Sequence, residues 1–228
     1  MSLQGEANDT KAWFIAPYVV PNARKQDLEI MCILASWLSN GYEYEDYMMA
    51  KLIKGEMGEK PYDFVLDYEY DLRYASNGFM CFSGVMTHHN LHELLLSLND
   101  IYSVYDSLET ATKSVRRKSK YIYLDILSLF DNYDTGFAGI KSNGSHYRVN
   151  YLVYLLYYVF RIWEIDSDRC ILPCNDKVMR NASNLGIIKN YKSANINRAI
   201  TITNVAKDMF KEDSFFRMYE LLNIDTIP

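Results

Sequence analysis

The stretch from Arg169 to Ile188 leaves the chain few conformational choices. An apolar run, Cys170-Ile171-Leu172-Pro173-Cys174, is followed at once by Asn175 and Asp176, both good helix N-cap residues. Val178, Ala182 and Leu185 then recur at spacings of four and three, and Gly186 supplies a stop. The pattern predicts an extended approach, a polar elbow and a helix of about three turns. At such an elbow the first free backbone N–H groups of the helix and the neighbouring polar side chains converge on one place. The elbow, with Asn175, Asp176 and Lys177, is therefore the best candidate for a site.

Elsewhere the chain repeats the helical period. Asp27 to Leu38 places Leu28, Met31, Cys32, Ala35 and Leu38 on one face and ends at Asn40-Gly41. Glu43 to Ile53 reads as a second helix, and Pro61 opens a short third one that buries Phe64 and Val65. Leu91 to Tyr105 carries Leu91, Leu94, Leu95, Leu98 and Ile101 at core spacing, with Thr87 or Asn90 as its cap. Short helices are expected over Ser107 to Val115 and Ser119 to Phe130. Tyr147 to Trp163 is apolar on nearly all sides and is expected to be the central buried helix. Ser193 to Phe210 and Ser214 to Leu222 close the chain. No run alternates convincingly as a strand, so the fold class is all-α.

Composition narrows the function. With 228 residues and 49% apolar content the chain can bury one large or two small cores. Its 20 Tyr, 10 Phe and 3 Trp serve either as core filling or as stacking platforms for bases. A formal charge of −5 excludes a protein that coats nucleic acid by bulk attraction, so any DNA contact needs a local basic patch. Lys113-Ser-Val-Arg-Arg-Lys-Ser-Lys120 is such a patch, with five cations and no acid in eight residues. It reads either as a solvated helix end or as a phosphate-contacting loop made by Arg116, Arg117, Lys118 and Lys120.

Cys32, Cys81, Cys170 and Cys174 lack the grouping of a zinc or iron–sulfur site, and no secretory leader precedes them, so a reduced, cytoplasmic setting is expected. His88 and His92 stand four apart with Glu93 next, which reads as a helix N-terminus rather than a metal site. No metal or cofactor is expected. No apolar run reaches the length of a membrane span, the longest being Tyr151 to Phe160, so no membrane partner is expected.

The elbow resembles that of the helix-hairpin-helix base-excision DNA glycosylase superfamily. Its Pro173, the acid position at residue 175, Val178, and Arg180, Ala182, Leu185 and Gly186 at helical spacing carry the likeness. A closer similarity is to a bacterial family of unknown function with that helical fold. It rests on Asp27-Leu-Glu-Ile-Met-Cys-Ile-Leu-Ala-Ser-Trp-Leu-Ser-Asn-Gly41, Leu91-His-Glu-Leu-Leu-Leu-Ser-Leu98 and Tyr105-Asp-Ser-Leu-Glu109. The resemblance implies a two-lobed, DNA-glycosylase-like fold with a cleft between the lobes. Residues 1–80 would pack with 175–228 as one discontinuous lobe, and 81–174 would form a middle lobe with a degenerate hairpin.

In that superfamily the elbow acid is the catalytic Asp; here Asn175 stands in its place, with Asp176 one residue on. The resemblance puts a glycine-bearing hairpin over Asp131 to Arg148, with Gly144, His146 and Arg148 toward DNA; a long surface loop is the other reading. The position of the nucleophilic Lys of bifunctional members is best matched by Arg148 or His146, with Lys141 and Lys177 as displaced alternatives. Two functions follow: a DNA N-glycosylase or lyase related to base-excision repair, or a non-catalytic nucleic-acid-binding or protein-interaction module that retains the fold.

Overall fold

The computed structural model describes residues 23–39, 57–58, 60–69, 81–82, 86–137, 144–189, 191 and 193–224. The expected helix over Glu43 to Ile53, the Asn40-Gly41 stop and Lys141 lie outside these residues. The described chain is mostly helical and all-α in class, with nine α-helices and one two-residue antiparallel pair, Cys81–Phe82 (β1) with Met86–Thr87 (β2). That pair is the one departure from a purely helical reading, and its two-residue strands are too short for an alternating pattern to reveal.

The chain groups into two units, the first holding the described residues up to Arg116 with Ser128–Phe137, the second holding Arg117–Leu127 with the described residues from Gly144 onward.

In the first unit α1 (Lys25–Trp37) begins at a reciprocal cap in which Arg24 and Asp27 satisfy each other's end groups. It is buried almost all round, from Ile30 to Leu38, rather than on one face. The reason is the unbroken apolar run Ile30–Ala35, which leaves no polar stripe for solvent. Helix α2 (Pro61–Leu66) starts on its proline and is tied to α1 by the Tyr62 amide donating to Asp27 Oδ1 at 2.9 Å. Helix α3 (His88–Val104) is capped by Thr87, whose hydroxyl accepts from Asn90 N at 3.1 Å.

Helix α4 (Leu108–Ser114) is fastened by a buried acid from α1. Glu29 accepts from the Leu108 amide at 2.9 Å, the Glu109 amide at 3.3 Å and the Tyr102 hydroxyl at 3.0 Å. A carboxylate facing the amides that open a helix is stabilised by the helix dipole, which is how a fully buried Glu is tolerated.

In the second unit α5 (Ile122–Ser128) leads, and α6 (Tyr147–Val153) runs on through a wide π turn to Val159. Tyr147, Tyr151, Tyr154 and Tyr158 stack along one side of that helix at centroid separations of 5.6, 5.8 and 5.6 Å. Phe216 and Tyr219 pack across them, so this group of rings fills core. Helices α7 (Asp176–Asn184), α8 (Ile196–Met209) and α9 (Arg217–Leu222) complete the unit, and Gly186 ends α7 with φ 73° as its position predicts.

Candidate nucleic-acid interface

The elbow forms where the sequence puts it. The run Cys170–Cys174 is buried and extended, and α8 holds it: Leu172 N donates to Thr203 Oγ1 at 3.0 Å and Lys207 Nζ to the Cys170 carbonyl at 3.2 Å. Burial pulls the Lys207 pKa down, and the carbonyls of Asp168 and Cys170 take two of its protons.

Asn175 caps α7, its Oδ1 accepting from Val178 N at 2.9 Å. Its Nδ2 donates to Asn223 Oδ1 at 3.2 Å, and Asn223 Nδ2 reaches the Tyr219 hydroxyl at 3.3 Å. The amide thus acts as acceptor and donor at once, whereas a carboxylate offers no donor. Asp176 is exposed and accepts from the Tyr191 hydroxyl; burial and that bond push Tyr191 up to about 12. Lys177 is half-buried in the first turn. The elbow therefore presents one acid, Asp176, held by Tyr191 and one position past the residue that the resemblance assigns to catalysis.

The turn ahead of α6 meets this elbow. Ser145 Oγ donates to the Cys174 carbonyl, and Asn150 Nδ2 donates back to the Ser145 carbonyl at 3.0 Å. Gly144 and Arg148 flank the turn, both half-buried. His146 sits at φ 50°, a left-handed conformation that only a few per cent of non-glycine residues adopt, His more often than most. Its ring lies on Tyr123 at 4.9 Å with 27° between the planes. Burial lowers the His146 pKa, and its Nδ1 has no hydrogen-bond partner among the described residues.

The stack extends into the basic run. Tyr123 lies against Tyr121 at 6.1 Å and 18°, and Lys120 Nζ stands 5.2 Å from the Tyr121 centroid. Lys120, Tyr121, Tyr123 and His146 thus form one row, a cation followed by three rings. Of the five cations in the run, Lys113 belongs to α4 and pairs with Glu109 at 2.6 Å. Arg116, Arg117, Lys118 and Lys120 are exposed.

The backbone at the end of the run is pinned. Asp125 Oδ1 accepts from Ser119 N at 2.7 Å, Arg169 donates to the Ser119 carbonyl at 2.9 Å, and Arg169 pairs with the buried Asp125. Sequence reasoning missed Tyr121, Tyr123, Asp125 and Arg169. The available signal was the interleaving of rings with cations in Lys118-Ser-Lys-Tyr-Ile-Tyr123.

His92 is buried, with its Nδ1 2.8 Å from the Tyr68 hydroxyl. Among the described residues no group of three His, Cys, Asp or Glu side chains is placed to hold a metal ion, and no helix is long and apolar enough to cross a membrane.

Neither the curated proteins nor the solved structures contain a match to this chain. The chain belongs to the family described as Protein of unknown function (DUF2400), whose model matches residues 17–150, a span that holds the basic run and the Gly144–Arg148 turn and ends ahead of the elbow.

Proposed function

We propose that this protein binds unpaired nucleotides of nucleic acid through Lys120, Tyr121 and His146, with Arg117, Lys118 and Arg148 toward the phosphates. It is a binding role on a glycosylase-like helical scaffold, not base excision. The observation that supports this most is the continuous row of Lys120, Tyr121, Tyr123 and His146.

Energetics favour exchange at its outer end. An ammonium over an exposed ring contributes about 0.5–1 kcal/mol, whereas a base stacked on an aromatic ring contributes about 1–3 kcal/mol. A base therefore displaces Lys120 from Tyr121, and the freed ammonium turns to the adjoining phosphate. Duplex DNA keeps its bases stacked on each other and offers the ring nothing, so single strands are preferred.

At the elbow, both ends of the Asn175 amide are engaged, and an amide supplies neither a general base nor a counter-charge for an oxocarbenium-like state. The test is a gel-shift titration at low salt with a labelled single strand and a blunt duplex of equal length, alongside duplexes bearing uracil or oxidised guanine. The single strand is expected to shift first, and no base is expected to leave. Absence of any shift overturns the binding reading, and base release overturns the restriction to binding.

A further inference from the structure

We infer that Asp125 and Arg169 are positioning residues for this nucleotide contact, an inference that rests on the binding reading above. Both polar groups of one peptide residue are held by one ion pair. Ser119 N donates to Asp125 Oδ1 at 2.7 Å, its carbonyl accepts from Arg169 at 2.9 Å, and Arg169 closes the loop on Asp125. Ser119 immediately precedes Lys120 and Tyr121, so this clamp fixes the point from which both side chains spring.

The pair is costly to build for stability alone. The Asp125 side chain is 0% exposed and that of Arg169 is 21% exposed, so both ions lose most of their water. Arg169 is itself presented by a turn in which Arg169 N and Cys170 N donate to the Asp166 and Ser167 carbonyls, each at 3.0 Å. Cys170 then leads into the elbow. One guanidinium nitrogen, Nη2, thus ties the end of the basic run to the segment that carries the elbow by donating to a carbonyl and a carboxylate together, at a reach from the backbone that the shorter lysine side chain does not match.

Upstream the chain is held differently: Arg117 and Lys118 are exposed, and the segment becomes fixed at Ser119. The clamp therefore divides the run into cations free to follow a phosphate backbone and a cation–ring pair with a set position. Ordering a side chain before binding removes a cost that the complex would otherwise carry.

The experiment is a thermodynamic cycle on the full chain. Arg169→Lys and Asp125→Asn are each introduced into the wild type and into Tyr121→Leu, and affinity for a labelled single-stranded oligonucleotide is read by anisotropy. In the wild-type background each change is expected to weaken binding roughly two- to tenfold; in the Tyr121→Leu background the loss is expected to shrink to the part carried by Lys120. Amide exchange at Ser119 is expected to accelerate in both variants. Should Asp125→Asn fail to fold, Arg169→Lys carries the test, since it keeps the charge beside Asp125.

Equal weakening in both backgrounds, or unchanged exchange at Ser119, overturns the inference while leaving the binding reading intact. A wild-type chain that binds no oligonucleotide overturns the binding reading, and the inference with it.

Discussion

Replacing Glu29 by alanine strips the first unit of a buried acid that three donors share. The Leu108 amide, the Glu109 amide and the Tyr102 hydroxyl would face a void in place of the carboxylate. Each buried donor left unpaired costs about 1–3 kcal/mol, so the simple sum is about 3–9 kcal/mol. The three share one site, so their losses overlap, and water entering the vacated space re-pairs some of them. The expected loss is therefore in the lower part of that sum, about 3–5 kcal/mol.

Glu29→Gln keeps the volume and one acceptor oxygen but turns an amide toward donors, and is expected to lose about 1.5–3 kcal/mol. Urea unfolding followed by circular dichroism measures both, and exchange of the Leu108 and Glu109 amides localises the effect to the start of α4. An alanine variant within about 1 kcal/mol of the wild type would refute the reasoning, because one unmade buried hydrogen bond alone accounts for that much.

Two further outcomes follow from the second unit. Burial lowers the His146 pKa below its ordinary value of 6.5, so the unfolded chain binds the proton first; stability contributed by this group is present above that value and falls as pH drops through it. His146→Phe keeps a ring against Tyr123 and is expected to flatten this acid-side loss in a series of thermal melts. Arg161 is exposed at φ 53°, a conformation that costs a side chain about 1–2 kcal/mol. Arg161→Gly is expected to raise stability by about 0.5–1 kcal/mol after the extra backbone entropy of glycine is set against the relief, a shift that calorimetry resolves.

Local chemistry was legible in the sequence; long-range pairing was not. Asn175 and Gly186 act within four residues of themselves, and the cap and the φ 73° stop appear where the spacing puts them. The all-round burial of α1 was hidden because period counting assigns a face even to a contiguous run such as Ile30–Ala35. The stacked row was hidden for another reason. Tyr121 and Tyr123 stand two apart, a spacing that shares no helix face, and they stack because Tyr121 lies just ahead of α5. His146 joins them from 23 residues further along, at a left-handed backbone position that no local pattern announces. Asp125 and Arg169 lie 44 residues apart, and nothing in either neighbourhood names the other.

The central claim is that a cation–ring row at Lys120 and Tyr121 receives an unpaired nucleotide. Its most direct measurement is the dissociation constant for a fluorescein-labelled single strand across a range of salt, for the wild type, Tyr121→Leu and Lys120→Gln. The account predicts that Tyr121→Leu weakens binding by about 1–3 kcal/mol with the salt slope unchanged, and that Lys120→Gln reduces the slope by about 0.7. Wild-type affinity that ignores salt, or a Tyr121→Leu protein that binds as tightly as the wild type, would contradict it.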